Sequence, residues 1–374
     1  MSTRLYLDHA AGSPALPQVV AAMAEVLPLA GNPSSLHASG RRARRLLEEA
    51  RESLAADLGA HPSEVVFTSG GTEANNLALL GGVDADRPRA AISSVEHPSV
   101  SAVRERLDVV RLPVESSGHL GLEAVVGLLD DRIGVTSVMW VNNETGAVQP
   151  VREVVELARI AGSLAHSDAV QAFGHLPVDF AASGLDLLTV SAHKLGGPVG
   201  IGALVVRRGV RLRPVGFGGG QEARLRSGSI PVALAVGFAT AAGRAVERLD
   251  DESTRLAGLR DLLIAGALAG VPDCRSNTGA PCSPAIVNLT FQGVRADDVL
   301  LLLDAAGVDA STGSACTAGV HQPSEVLLAM GRAEADASAS LRFSFGPSTT
   351  RADVEALVAL LPEIVARARS AAAT

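Results

Sequence analysis

Lysine is almost absent from this chain. Among 374 residues the sequence has 32 Lys and Arg residues together, and Lys194 is the single lysine. Arginine keeps its proton and cannot form an imine with a carbonyl, whereas a lysine amine can. One interpretation is a lysine-poor surface with one residue left over. Because Lys194 follows an apolar run and precedes the turn Gly196-Gly197, we favour an imine-forming lysine.

The sequence also lacks a basic block and a long apolar run. Net charge is −8, which argues against nonspecific nucleic-acid binding, and the arginines of 41–45 are followed by Glu48-Glu49, as on a charged helix face. No apolar stretch approaches the roughly 20 residues that a membrane helix needs, and no signal segment stands at the N-terminus. We therefore expect a cytoplasmic protein without a nucleic-acid or membrane partner.

Cysteine is scarce as well. The three cysteines are Cys274, Cys282 and Cys316, and their spacing matches neither a zinc site nor a disulfide framework. We expect no metal and a reduced protein. Cys316 lies in the segment from Ser311 to Gly319, which is rich in Gly, Ser and Thr and offers a side chain no core to fill. It is the candidate for an exposed, reactive thiol on a mobile loop, whereas the other two are expected to be packing residues.

Apolar runs alternate with helical patterns between about residues 60 and 210. The predicted strands are Glu64–Thr68, Ala90–Ser93, Val109–Leu112, Val135–Val141, Leu164–Ser167, Leu187–Ser191 and Ile201–Arg207. The predicted helices between them include Thr72–Leu80, Pro98–Leu107, Leu122–Leu129 and Val151–Ala161. This alternation predicts an α/β fold with a mostly parallel sheet covered by helices, whose ligands bind beyond the carboxyl ends of the strands.

A long helical pattern from Pro231 to about Ala269 leads to a second, smaller α/β unit. Residues 271–284 read as a loop. Beyond the loop the predicted elements are the strand Ala285–Phe291, the helix Ala296–Ala306, the strand Leu341–Phe345 and the helix Arg351–Ala368.

A Gly-Gly-Thr turn follows the first predicted strand of the sheet and opens a helix. Glycines at Gly70 and Gly71 let backbone amides approach an anion, the helix N-terminus adds a favourable dipole, and Thr72 can add a hydroxyl donor. Such a turn is structural more often than functional when it stands alone. It is a candidate phosphate cradle.

Asp168 also follows a predicted strand, so its carboxylate faces the same crevice. Alone it could be a helix N-cap. Because it lies upstream of Lys194 in the same alternating unit, Asp168 is also a candidate cofactor ligand. Enzymes that use pyridoxal 5′-phosphate (PLP) need a lysine imine, an anionic partner for the pyridinium nitrogen and a phosphate cradle. The sequence places all three at strand ends.

With these residues the chain resembles the NifS/IscS-like cysteine desulfurases, fold-type-I PLP enzymes of the class V aminotransferase family. The resemblance runs from Tyr6 to about Gly346. The motifs that carry it are Gly31-Asn32-Pro33-Ser34-Ser35, Ser69-Gly70-Gly71-Thr72-Glu73, Val95-Glu96-His97, Val141-Asn142-Asn143-Glu144-Thr145-Gly146, Ser191-Ala192-His193-Lys194, Arg226-Ser227-Gly228-Ser229, Gly313-Ser314-Ala315-Cys316 and Arg342-Phe343-Ser344.

The resemblance implies a division of the chain and the cofactor contacts. Residues 14–255 would form a large PLP-binding domain, and 1–13 with 256–374 a small domain carrying the cysteine loop. Lys194 would hold PLP and move protons, Asp168 would pair with the ring nitrogen, and Gln171 would donate to the phenolic oxygen. The other implied cofactor contacts are His97 on the ring face, with an acid–base role left open, Asn143, and the phosphate ligands Gly71, Thr72, Ser191, His193 and, across a homodimer interface, Ser229.

The resemblance also implies the reaction. Arg342 and Asn143 would bind the carboxylate of L-cysteine, and Cys316 would take its sulfur as a persulfide and pass it to an acceptor, releasing L-alanine. The acceptor, a cluster scaffold, a tRNA-thiolating enzyme or a biosynthetic partner, stays open. Alternatives are a selenocysteine lyase, another class V transaminase or lyase, and a silent sulfur-transfer subunit. Cys316 argues against a plain transaminase, and retention of Lys194 with Cys316 argues against a silent subunit.

Overall fold

A seven-stranded sheet forms the centre of the fold. The structure is a computed structural model that describes residues 4–313 and 322–372. Its strands in chain order are β1 (Leu5–Tyr6), β2 (Val65–Thr68), β3 (Arg89–Ser93), β4 (Asp108–Leu112), β5 (Ile133–Ser137), β6 (Leu164–Asp168), β7 (Leu187–Ser191), β8 (Gly202–Val206), β9 (Cys274–Ser276), β10 (Ile286–Phe291), β11 (Val308–Asp309) and β12 (Ser340–Ser344).

The strand order of the large sheet is β2-β8-β7-β6-β5-β3-β4. The pairs from β7 through β6, β5 and β3 to β4 are parallel, whereas β8 is antiparallel to both of its neighbours. The prediction of a mostly parallel sheet is confirmed. Since β8 reverses direction between β2 and β7, those two strands run the same way. The carboxyl ends of β2, β6 and β7 therefore meet at one edge of the sheet.

Helices cover this sheet and build the second unit. In chain order they are α1 (Pro17–Val26), α2 (Ala38–Asp57), α3 (Gly71–Gly82), α4 (Pro98–Ser101), α5 (Leu122–Val125), α6 (Val151–Ala161), α7 (Phe180–Ser183), α8 (Val232–Glu247), α9 (Leu249–Gly270), α10 (Ala296–Ala305), α11 (Glu325–Ala329), α12 (Glu334–Ala337) and α13 (Arg351–Ala372).

Several predicted boundaries were wrong. The single helix predicted from Pro231 to Ala269 is two helices, because the backbone of Arg248 leaves the helical region (φ −108°, ψ 10°) and acidic residues favour a new N-terminus in the first turn of α9. The predicted loop 271–284 contains β9, which forms by backbone pairing with β10. The strand predicted for Val135–Val141 ends at Ser137, where the chain leaves the sheet toward the candidate site.

The two largest apolar cores divide between α8, which packs into the first, and α9, which packs into the second. The larger core packs the sheet against α2, α6 and α8. The smaller joins Leu7 to side chains of α9, β10, β12 and α13. Leu7 thus packs with the C-terminal part of the chain, as a small domain containing residues 1–13 requires. The domain boundaries at 13/14 and 255/256 stay a prediction, and the latter falls inside α9.

The part of the chain that the structure describes contains no helix both long and apolar enough to cross a membrane.

Candidate active site

The predicted phosphate cradle lies where α3 begins, directly after β2. The amides of the first helical turn have no intrahelical acceptor, so they can bind an anion. Strand β8 passes close to this turn. A Cβ on Gly202 of β8 would lie 2.7 Å from the carbonyl carbon of Gly70, so only glycine fits at position 202. A Cβ on Gly71 would lie 3.8 Å from the Cβ of Ser191, which shows that the turn and the end of β7 are adjacent. Thr72 is exposed in the same turn.

Two further donors complete this edge of the sheet. The hydroxyl of Ser191, the last residue of β7, is 2.8 Å from Nδ1 of His193. Burial first, and the charge of Lys194 second, lower the pKa of His193 to about 4. His193 is therefore a neutral ring at physiological pH. Neutral hydrogen-bond donors of this kind suit a bound phosphate whose charge is met mainly by backbone amides.

Lys194 lies in a 3₁₀ turn that follows β7, and its amine reaches the N-terminal segment of the chain. Nζ donates to the carbonyl oxygens of Ala10 at 2.6 Å and Ala11 at 2.8 Å. Gln171 donates its Nε2 to the same Ala10 oxygen at 2.8 Å. Burial first, and Arg342 second, lower the pKa of Lys194 to about 8. About a tenth of the amine is therefore unprotonated, and so nucleophilic, at pH 7, far more than for a lysine of ordinary pKa.

Asp168 is buried at the carboxyl end of β6. Its Oδ2 accepts from Nδ2 of Asn75 at 2.7 Å, and its Oδ1 accepts from the amide of Val170 at 2.9 Å. The second contact shows that Asp168 also stabilises the turn after its strand. Each carboxylate oxygen has two lone-pair directions, so Asp168 can accept one more donor.

His97 lies at the N-terminus of α4, opposite this edge. Its Nδ1 accepts from the amide of Ser99 at 3.1 Å and is 2.8 Å from the Ser99 hydroxyl. Burial first lowers the pKa of His97; Lys194 and Arg342 lower it further, while Asp168 opposes them. His97 is exposed, and the hydrogen bonds on its Nδ1 are its contacts with Ser99.

Arg342 of β12 is buried and brings the small unit into contact with the site. Its Nη2 donates to Oδ1 of Asp8 at 2.7 Å, and its Nη1 donates to the carbonyl oxygen of Asn143 at 2.9 Å. Among the residues that the structure describes, the buried atoms Arg342 Nε and Asn143 Oδ1 have no hydrogen-bond partner. One unpartnered donor and one unpartnered acceptor on two contacting residues are what a polar ligand with both kinds of group requires.

These residues fit PLP. The cradle at Gly71 and Ser191 suits its phosphate, Asp168 has an acceptor direction to spare for the ring nitrogen, and Lys194 offers an amine of lowered pKa. The unpartnered polar atoms of Arg342 and Asn143 leave hydrogen-bonding capacity for a substrate beside the cofactor.

One predicted site residue within the described chain, Ser229, is not brought together with the others. Ser229 is exposed, and the contact it makes in the described chain is a backbone oxygen that accepts from Arg226 at 3.5 Å. Arg226 in turn pairs with Glu73 of the cradle turn at 3.1 Å. Cys316 lies outside the residues that the structure describes.

Several contributing residues were missed by the sequence analysis. Asn75 is one helical turn beyond Gly71 and so shares its face, a signal that could have singled it out. Ser99 is adjacent to a motif that was recognised. Asp8 was not singled out, and the carbonyl of Ala10 has no signal in the sequence at all.

Known proteins match this chain along nearly its whole length. The family model described as aminotransferase class-V matches residues 5–357. The chain belongs to the class-V aminotransferase family, among its NifS/IscS-like cysteine desulfurases. This family consists of PLP enzymes. The resemblance predicted from the motifs, the fold class and the assignment to an enzyme of this group are confirmed.

Individual relatives are equally consistent. The chain is 48% identical over 383 residues to an IscS-like cysteine desulfurase of Mycobacterium tuberculosis, covering 98% of each chain. It is 40% identical over 380 residues to the cysteine desulfurase NifS of Azotobacter vinelandii, covering 98% of this chain and 94% of that one. A solved structure of a NifS-like protein superposes with a TM-score of 0.91 at 31% identity, covering 98% of this chain and 100% of the other.

Proposed function

We propose that this protein converts L-cysteine to L-alanine with PLP at Lys194 and passes the sulfur through Cys316 to an acceptor protein. The observation that supports it most is the meeting of Lys194, Asp168 and Arg342 at one edge of the sheet. Lys194 has a lowered pKa, Asp168 has a free acceptor direction, and Arg342 is a buried guanidinium with an unpartnered Nε. Relatives of the same length are cysteine desulfurases.

The resemblance supplies the roles of these groups, and their positions are compatible with it. PLP, when bound, would supply an electron sink for the substrate carbon. Asp168 would accept a hydrogen bond from the protonated ring nitrogen, and Gln171 would donate to the ring oxygen. Gly71, Thr72, Ser191 and His193 would hold the phosphate, and His97 would pack against the ring.

Arg342 binds the substrate carboxylate. Its terminal nitrogens are already engaged by Asp8 and by the carbonyl of Asn143, so Nε is the donor that a carboxylate finds unoccupied. Asp8 also limits the positive charge around the guanidinium. A substrate with a neutral group in place of the carboxylate would leave Arg342 Nε without a charged partner. The site therefore favours α-amino acids over simple amines.

Protons and sulfur then move through two side chains. Lys194, with a pKa of about 8, can both accept and release a proton near neutral pH. The thiolate of Cys316 attacks the substrate sulfur. A sulfur–sulfur bond forms as the carbon–sulfur bond breaks, the electron pair stays on carbon, and a proton added there gives alanine. The persulfide then passes its outer sulfur to an acceptor. Alternatively, a thiol reductant reduces the persulfide and sulfide is released.

An assay of alanine and sulfide on L-cysteine tests this function. We expect equal amounts of both with a thiol reductant, and alanine limited to about one turnover without an acceptor or reductant, because the persulfide then blocks the thiol. A plain transaminase would instead yield a keto acid and no sulfide. A selenocysteine lyase would release selenide from selenocysteine and leave L-cysteine almost untouched. Either result would contradict the proposal.

Replacing Arg342 with alanine should mainly weaken the binding of cysteine. Losing a charged contact to the carboxylate should cost on the order of 2–4 kcal/mol, seen as a raised KM, while PLP stays bound. Arg342→Lys keeps the charge but loses the planar guanidinium, so its KM should lie between those of the wild type and Arg342→Ala. Arg351→Ala, on an exposed ion pair with Glu355, is the control. If both KM and kcat are unchanged in Arg342→Ala, the carboxylate is bound elsewhere.

We also propose that the active form is a homodimer. Ser229 is exposed. The resemblance implies that its hydroxyl completes the phosphate site of the neighbouring subunit. Apolar side chains with large exposure occur nearby in sequence, 88% for Phe217 and 79% for Val199. Contact with a second copy would remove them from water. Light scattering at assay concentration should give twice the monomer mass; an active monomer contradicts the proposal.

A further inference from the structure

The hydrogen bonds on Nδ1 of His97 determine which ring nitrogen carries the proton. The backbone amide of Ser99 can only donate, and it points to Nδ1 at 3.1 Å. Nδ1 is therefore an acceptor and carries no proton. A neutral histidine with a bare Nδ1 carries its proton on Nε2. Nε2 is thus a hydrogen-bond donor, and it has no lone pair with which to accept a proton.

A chain of hydrogen bonds connects this histidine to Asp168. Asn75 is buried, and its Nδ2 donates to Oδ2 of Asp168 at 2.7 Å and to the hydroxyl of Ser99 at 2.8 Å. The carboxylate accepts only, which fixes the orientation of the amide. Because the Ser99 amide already requires an unprotonated Nδ1, the Ser99 hydroxyl, 2.8 Å from that nitrogen, is the donor in their contact.

We propose that Ser99 and Asn75 are positioning residues that fix His97 as a neutral ring with its proton on Nε2. His97 then offers the substrate a hydrogen-bond donor and takes no proton, so the proton transfers belong to Lys194. The catalytic part of this inference rests on the proposed function. The tautomer itself does not, because it follows from contacts within the protein.

The alternative states of the ring are unfavourable for a direct reason. A proton on Nδ1, in the other neutral tautomer or in the charged ring, would face the Ser99 amide proton and remove that hydrogen bond. Because Ser99 is buried, loss of the hydrogen bond from its amide shifts the equilibrium between the ring states by roughly 10- to 100-fold. Of the charged groups that face His97, Lys194 and Arg342 oppose its protonation, and Asp168 favours it.

The chain contains an internal reference for this arrangement. His61-Pro62-Ser63 repeats the sequence His97-Pro98-Ser99, and the amide of Ser63 donates to Nδ1 of His61 at 3.2 Å. The Ser63 hydroxyl lies 2.8 Å from the same nitrogen. His61 lies on an exposed turn and has no role in the candidate active site. The His-Pro-Ser sequence therefore creates the cap, while the connection to Asp168 through Asn75 is specific to His97.

Nuclear magnetic resonance on the PLP-loaded protein tests the tautomer without any turnover. The sequence has nine histidines, so isotope-labelled histidine gives a readable set of ring nitrogens, assigned with His97→Gln and His61→Gln. We expect an unprotonated Nδ1 and a protonated Nε2 for His97 from neutral to alkaline pH. A proton on Nδ1 in that range overturns the proposal, whether or not the protein desulfurates cysteine.

Two serine variants test the positioning role. Ser99→Ala keeps the backbone donor and loses the hydroxyl, so the tautomer should persist while the proton affinity of His97 rises by roughly 2- to 10-fold. Ser63→Ala is the matched control and should leave the His97 resonances and the activity unchanged. A titration of His97 that does not move in Ser99→Ala, or moves equally in Ser63→Ala, would contradict a role for Ser99.

Kinetics of His97 variants separate a donor from a base. An amide can replace the Nε2 donor, so His97→Gln should stay within about tenfold of the wild-type kcat, whereas His97→Ala should lose roughly 100-fold. The pH profile of His97→Gln should keep the wild-type shape. If glutamine is as damaging as alanine and one limb of the profile disappears, His97 is the base.

Discussion

Alanine in place of Lys194 should abolish turnover of L-cysteine together with the yellow absorbance of the bound cofactor. The amine that forms the imine and moves protons is then missing, and the sequence has no second lysine to replace it. PLP should still be retained weakly, because the phosphate cradle at Gly71 and Ser191 is untouched. The measurements are the absorbance spectrum, cofactor content after dialysis, and alanine formation.

Lys194→Arg is the informative companion variant. It keeps a positive charge next to Asp168 and Arg342, but it has no reactive amine, so it should be as inactive as alanine. Substantial desulfuration by either variant would rule out the assignment of Lys194.

The pH dependence of cofactor loading gives a second readout for the same residue. The pKa of Lys194 is lowered to about 8, and only the unprotonated amine attacks a carbonyl. Imine formation by apo-protein and PLP should therefore accelerate as pH rises through about 8 and then level off. A lysine with an ordinary pKa would keep accelerating up to strongly alkaline pH.

Serine in place of Cys316 should eliminate sulfide release while the cofactor stays bound and still responds spectrally to cysteine. Serine fills nearly the same volume, but its hydroxyl does not attack the substrate sulfur. Mass spectrometry of wild-type protein after incubation with cysteine should place one added sulfur on the peptide that contains Cys316.

The two other cysteines are poor candidates for this role, and they serve as controls. Burial raises the pKa of Cys274, on β9, to about 11. Burial also raises the pKa of Cys282, although Arg260 opposes this from 3.3 Å. Since the thiolate is the nucleophile, both are largely unreactive near neutral pH. Cys274→Ser and Cys282→Ser should behave as wild type. A persulfide on either of them, with Cys316→Ser still active, would overturn the assignment of Cys316.

Much of the candidate site was predictable because it consists of short local signals. Lys194 was identified by the chemistry that arginine cannot perform. Gly71 and Asp168 were identified because each follows an apolar strand, and the ends of parallel strands meet at one edge of a sheet. The structure places both at that edge.

Element boundaries were less predictable where no local signal marks them. The break at Arg248 has neither proline nor glycine at the position itself, and the flanking residues are good helix formers. β9 is short and lies between prolines, so its backbone becomes a strand only because β10 offers it a partner. Pairing of that kind leaves no periodic pattern in the sequence.

The sequence by itself determined the fold class, the lysine chemistry and the family. Only the tertiary structure decided which groups surround these residues. Arg342 meets Asp8 from 334 positions away, and Lys194 meets the carbonyl of Ala10 from 184 positions away. Contacts over such distances depend on strand order and on the packing of two cores, which no local pattern encodes. The lowered pKa of Lys194 and the connection of His97 to Asp168 through Asn75 follow from that packing, because burial and long-range hydrogen bonds exist only in the folded chain.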